Sequence, residues 1–284
     1  MAKKATTTKK REAAAELPKK EVSKQPPVGA SKEQTLRKWN LGVAAAFAAQ
    51  AVAVAYIGSK LTEAITVRYL AVDQLTTETN SRQMVAGAMR HVVDVRASWI
   101  VAGILALFAI AYLFMATKGR KSYDASLASG INKFRWITLG LGGGAVFATL
   151  ALLSGLNDVA TLALIWFCVF AASVLGLAVE LLGPNRSGLH RLLAVLGGTA
   201  ALLPWLVLAK GAAAGALYGG HIPSQLWAIY SSMFVFWVAF VVATLFRWRK
   251  MGQWGNVLYS EKMYLLLILV MTSAFAWQVA AGVR

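Results

Sequence analysis

Very few side chains in this sequence could carry covalent or ionic chemistry. Cys168 is the single thiol, and it sits inside an apolar run where a thiol packs. His91, His190 and His221 are the histidines, and all three fall in polar connections. Their spacing from Cys168 and the carboxylates matches no metal set. No Ser, His and carboxylate can be assembled at one depth, so an enzyme is not expected. Glu180 ends an apolar run, which places it near headgroups with no need to be buried. Glu261 and Lys262 form a charged pair that marks a water boundary. Lys210 lies about 20 residues beyond Arg191, roughly 30 Å along a helix, so it is expected to snorkel to the opposite surface. With no ionisable group well inside an apolar run, neither a proton pathway nor an ion pathway is expected. The polar groups left at depth are the amide of Gln50 and the hydroxyls of Thr138, Thr272 and Ser273. These can only give and take hydrogen bonds, and a lone buried amide such as Gln50 most often bonds a neighbouring helix.

The elements that hold these groups follow from hydropathy. Of the 284 residues, 58% are hydrophobic and 14% charged, which is far from a soluble domain. Apolar runs of about 20 residues, each long enough for a core of about 30 Å, recur between short polar pieces. They predict seven membrane spans at about 39–59, 98–117, 136–155, 159–182, 191–212, 225–247 and 262–282. The fold class is therefore an all-α membrane protein, one seven-helix domain over 39–284. Gly140, Gly142, Gly143 and Gly144 in the third span predict close helix approach. Pro204, before Trp205, predicts a kink in the fifth. Asn157-Asp158 reads as a tight turn into the fourth.

The connection 60–97 is the longest. Residues 64–70 and 91–95 are rich in β-branched residues and alternate loosely, with a polar, turn-like cluster from Thr76 to Ser81 between them. This predicts a short extracellular β-hairpin in the first loop. Lys118 to Arg135 reads as a polar loop with five basic residues.

The net charge is +17 and unevenly spread. Residues 1–38 hold eleven Lys or Arg against four Glu, include Pro26 and Pro27, and lack apolar periodicity. They read as a disordered basic tail drawn to anionic lipid. Nucleic acid is not an expected partner, because no aromatic residue precedes Trp39 to stack on bases. No cleavable signal peptide is expected, since no apolar segment follows the basic stretch until residue 39. Basic residues concentrate in the tail and the second, fourth and sixth connections, which places the N-terminus in the cytoplasm and the C-terminus outside the cell membrane.

Several local patterns resemble heliorhodopsins. Trp39-Asn40 with Gln50 resembles the first helix of that family. Tyr123 with Ala125-Ser126-Leu127, then Phe134-Arg135-Trp136, resembles the approach to its third, and Pro204-Trp205 its fifth. Trp254, Asn256, Leu258, Glu261 and Tyr264, then Ser273-Ala274 and Ala276-Trp277-Gln278, resemble its sixth-to-seventh loop and seventh helix. The resemblance spans about 240 residues. It implies a rhodopsin-like seven-helix bundle, an inverted topology, and a homodimer contacted through the first-loop β-element.

The departures bear on function. By the resemblance, Thr272 stands where the family's retinal-carrying lysine belongs, Thr138 where its carboxylate counterion belongs, and Phe47 where a first-helix histidine belongs. A threonine has no amine and forms no imine. The cation and its counterion are absent together, as expected when there is no protonated imine to stabilise. The resemblance then implies a membrane protein without covalent retinal: a light-insensitive scaffold or signalling protein with a cytoplasmic protein partner beside the lipid bilayer. No cofactor is expected. Two readings of the old pocket stay open. Trp237, Met271 and Phe275 fill it, or it holds an apolar ligand (retinal, a carotenoid, a lipid or a quinone) without a bond, with Phe47 and Gln50 in its lining and the hydroxyls of Thr138 and Thr272 as polar contacts.

Overall fold

The structure is a computed structural model that describes residues 30–73, 84–182, 188–219 and 222–282. In chain order the elements are α1 (Ala30–Ile57), β1 (Thr62–Asp73), β2 (Met84–Arg96), α2 (Ala97–Ala116), α3 (Arg120–Ala128), α4 (Lys133–Leu153), α5 (Val159–Leu182), α6 (Gly188–Tyr218), α7 (Ser224–Trp248) and α8 (Val257–Ala280). All except α3 among the helices are long and apolar enough to cross a membrane, giving seven spans. The expected fold class holds: a seven-helix membrane bundle with a two-stranded hairpin.

Two boundaries move. The basic tail was expected to run to residue 38, but the chain is already helical from Ala30. Leu36 and Asn40 are buried against the bundle, so packing extends the helix beyond what apolar periodicity marks. The polar loop before the third span also contains a helix, α3. Its Tyr123 is buried edge-on against Phe134, which anchors a stretch whose other residues are mostly polar. The rest of the tail, residues 1–29, lies outside the described residues, as does the turn from Thr76 to Ser81.

The hairpin is longer than the two β-branched pieces suggest. β1 and β2 pair antiparallel from Thr62 opposite Arg96 to Asp73 opposite Met84, with an irregularity between Ile65 and Thr66 that leaves Val92 extra. It does not stand free. The Thr66 amide donates to the carbonyl of Asn157 at 2.9 Å, its hydroxyl reaches Asn157 Oδ1 at 3.2 Å, and the Arg68 amide donates to Asp158 Oδ1 at 3.1 Å. The Asn157-Asp158 turn therefore both starts α5 and clamps the hairpin to one end of the bundle. Asp158 also accepts from the amide and hydroxyl of Thr161. The Thr161 backbone donor above all holds its carboxyl below the ordinary carboxylate value, with Arg68 helping.

α1 packs on α2 and α8, α4 on α5, and α5 on α6. Glycine sets the closeness of the α4 neighbourhood. A Cβ at Gly142 would fall into the Phe108 ring of α2, and one at Gly176 of α5 into the Trp136 ring of α4. α6 hardly approaches α7, which it meets mainly through Trp205 against Phe234 and Trp237.

Candidate functional site: a buried ion cluster and an apolar cavity

The hairpin marks one face of the bundle, and the start of α1 marks the other, called the tail face. At the tail face three helices converge on Arg135. Asn132 caps α4 by accepting from the Arg135 amide at 2.9 Å. The Arg135 guanidinium bonds Glu261 of α8 through Nη1 and Glu180 of α5 through Nη2, the latter at 2.5 Å. Asn132 Nδ2 donates to the second Glu261 oxygen at 2.6 Å. Tyr264 lies under the guanidinium with its ring centre 4.1 Å from Cζ. All three charged side chains are buried, at 3%, 4% and 7% exposure.

This corrects the sequence reading on three residues. Glu261 does not mark a water boundary, Glu180 is not left among headgroups, and Arg135 is not a loop residue. Each looks peripheral along its own helix. They become buried because each supplies the counter-charge that makes burying the others tolerable. Buried ionisable groups therefore do occur inside the ends of spans. The local mark they carry in the sequence is Asn132 followed by Arg135-Trp136, a helix cap leading into an arginine at the start of an apolar run.

Higher in the bundle the chemistry is different. Thr272 is fully buried in α8, and its hydroxyl finds no hydrogen-bond partner among the described residues; the Ser273 hydroxyl finds none either. Thr138 is buried in α4. Phe47 and Phe275 are both fully buried, with Phe47 stacked on Phe108 and Tyr112. Gln50 lies toward the outer surface and accepts from Trp277 Nε1 at 3.1 Å, joining α1 to α8.

Trp237 and Met271 line an apolar cavity of about 260 Å³ bounded by α4, α5, α6 and α7, with Met271 contributed by α8. Its wall runs from Phe147 and Met233 at depth to Trp136, Val179, Leu193 and Trp248 toward the tail face. Among the described residues no charged side chain lines it. Phe47, Gln50, Phe275, Thr138 and Thr272 lie outside its wall.

A covalent retinal does not fit these residues. α8 contains a single lysine, Lys262, and that lies at its tail-face end, 6.0 Å from the Trp39 ring. Lys210 is exposed on α6. Neither residue appears in the cavity wall.

Seven apolar helices with a hairpin on one face define an integral membrane protein of rhodopsin-like architecture. The heliorhodopsin family pattern matches residues 36–283, nearly the whole chain, and the chain belongs to the heliorhodopsin family. No curated protein matches its sequence. The resemblance drawn from Trp39-Asn40 through Trp277-Gln278 is thereby confirmed at the level of the family. Heliorhodopsins are not in general an enzyme family.

Proposed function

We propose that this heliorhodopsin forms no covalent retinal pigment, does not respond to light, and serves as a scaffold or signalling protein in the membrane rather than as an enzyme. The observation that carries this reading is Thr272. It has no amine, it is fully buried, and it sits about 15 Å along α8 from Lys262, near mid-membrane. Thr138 supplies no carboxylate on the facing helix. Exposed Arg249, Lys250 and Met251 in the α7–α8 connection offer a cytoplasmic protein a basic, partly apolar contact, with the N-terminus inside and the C-terminus outside. The exposed Val67, Tyr69, Leu70 and Met89 of the hairpin suit a homodimer contact.

The test is purification with all-trans retinal. The native chain is expected to show no visible band that survives washing. A washing-resistant band lost on changing Thr272 would refute the proposal. The double change Thr272→Lys with Thr138→Glu asks whether the position still admits a chromophore. A coloured product means space remains, and a colourless one means the side chains have closed it.

The cavity supports a second reading, that the chain holds an apolar molecule such as retinal, a carotenoid or a lipid without a bond to it. Its wall of Trp136, Phe147, Trp237 and Phe240 suits such a molecule. Mass spectrometry of organic extracts from purified protein checks this, and the absence of any enriched compound would remove it.

A further inference from the structure

Resting on that second reading, we propose that the cavity between α6 and α7 takes one acyl chain of an anionic membrane lipid, whose headgroup is held at the tail face by Arg191 and Arg249. Three observations converge on this occupant. The first is shape. The wall on α7 runs from Met233 to Trp248, sixteen residues and about 22 Å end to end. On α5 it runs from Val169 to Val179, about 15 Å. One leaflet of hydrocarbon is about 15 Å deep, half of a core of about 30 Å. The cavity is therefore about as deep as a single lipid chain reaches, and it points along the same axis.

The second is access. α6 and α7 are not packed along their length. Two wall residues, Gly198 of α6 and Leu245 of α7, are exposed even though both line the cavity. The cavity therefore opens sideways into the acyl region between these helices, and a chain can enter from the bilayer without crossing water.

The third is charge at the mouth. Arg191 precedes the wall residues Ala194 and Gly198 by three and seven positions and shares their face of α6. Arg249, with αR backbone one residue past the end of α7, follows Val241 and Leu245 by eight and four positions, on the continuation of their face. Both arginines are exposed, and no described acidic side chain pairs with either. The nearby carboxylates Glu180 and Glu261 are already committed to Arg135. His190 meets Trp248 across the same mouth, with ring centres 6.4 Å apart. A wholly apolar ligand would engage neither guanidinium group. An anionic headgroup satisfies them while its chain lies on the uncharged wall. The tail face is the one assigned to the cytoplasmic leaflet, where anionic lipids concentrate.

The test uses the full chain in detergent and native mass spectrometry. Phosphatidylglycerol and phosphatidylcholine of identical chains are added separately, and the retained lipid adduct is measured. Phosphatidylglycerol is expected to be retained preferentially, by roughly fivefold per arginine, the equivalent of about 1 kcal/mol each. Arg191→Gln with Arg249→Gln is expected to bring the two lipids level. Gly198→Leu is expected to abolish retention of both, because a side chain there enters open space and fills the mouth without a clash. Equal retention by the native chain, or a preference that survives the double arginine change, overturns the lipid proposal. If in that case Gly198→Leu still removes bound lipid, the apolar-ligand reading of the cavity stands without a headgroup site. If Gly198→Leu changes nothing, both fall. An unshifted thermal transition in each variant shows that the fold is retained.

Discussion

α4 and α6 are both apolar and both cross the bundle, yet they are used in opposite ways. In their most apolar windows 72% of α4 residues are buried and only 11% of α6 residues. α4 is held by glycines that let Phe108 and Trp166 close on its backbone, and by a buried arginine that binds carboxylates from two other helices. α6 buries little beyond Pro204, Trp205 and Leu208, and a cavity lies beside it. In lipid an apolar face gains little by leaving the hydrocarbon for a protein neighbour. Close packing is instead set by small residues and by polar groups that have no alternative partner. Both helices carry small residues, but a Cβ at Gly142 or Gly144 of α4 would meet Phe108 or Trp166 while one at Gly198 of α6 meets nothing, and only α4 carries a buried ion cluster.

That contrast can be broken most directly at the ion cluster. Arg135→Ala leaves Glu261 and Glu180 buried without a counter-charge and is expected to cost about 3–5 kcal/mol, read as a large drop in the thermal transition in detergent. An unchanged transition would mean the cluster holds nothing together. A paired glycine experiment comes next. Gly142→Leu drives a side chain into Phe108 and is expected to cost about 1–3 kcal/mol, whereas Gly198→Leu meets open space and is expected to shift stability within about 0.5 kcal/mol. Equal effects at the two sites would erase the distinction between the halves.

The hairpin clamp is a smaller effect. Thr66→Val removes a side-chain bond to Asn157 and is expected to cost about 1 kcal/mol, seen as faster amide exchange across β1 and β2 with α4 unaffected. The Asp158 carboxyl is held below its ordinary value, so its contribution is present at neutral pH and is lost as pH falls through that lowered value. Protection of the hairpin amides, the intrinsic exchange rate divided by the observed one at each pH, should therefore fall only in acid. A loss of protection on going to alkaline pH instead would contradict this assignment. Smallest is Gln50→Leu, which removes the bond to Trp277 near the outer surface and is expected to cost about 0.6 kcal/mol.

Which features were legible beforehand depended on whether they are local. Runs of apolar residues located every span, since crossing a bilayer is a property of one segment. The β-branched pieces around Ile65 and Val93 marked the hairpin, although its full length and its seat on Asn157-Asp158 involve a partner some 90 positions away. Arg135, Glu180 and Glu261 were each misplaced, because from one helix a charge near a span end looks solvated. Among the residues matched by resemblance to the retinal site, Trp237 and Met271 line the cavity, while Phe47, Thr272 and Phe275 lie in packed interior and Gln50 near the lipid-facing surface.

By itself the sequence determined that this is a seven-span membrane protein of heliorhodopsin pattern with no lysine in the middle of its last helix. Both facts reside in residue type and order, and no folding can add an amine to Thr272. Only the tertiary structure decided that three boundary-looking charges form one buried cluster. It alone placed the open space beside α6 rather than at Thr272. Burial and cavity volume are properties of surfaces from different helices meeting or failing to meet, and a single segment carries no record of its neighbours.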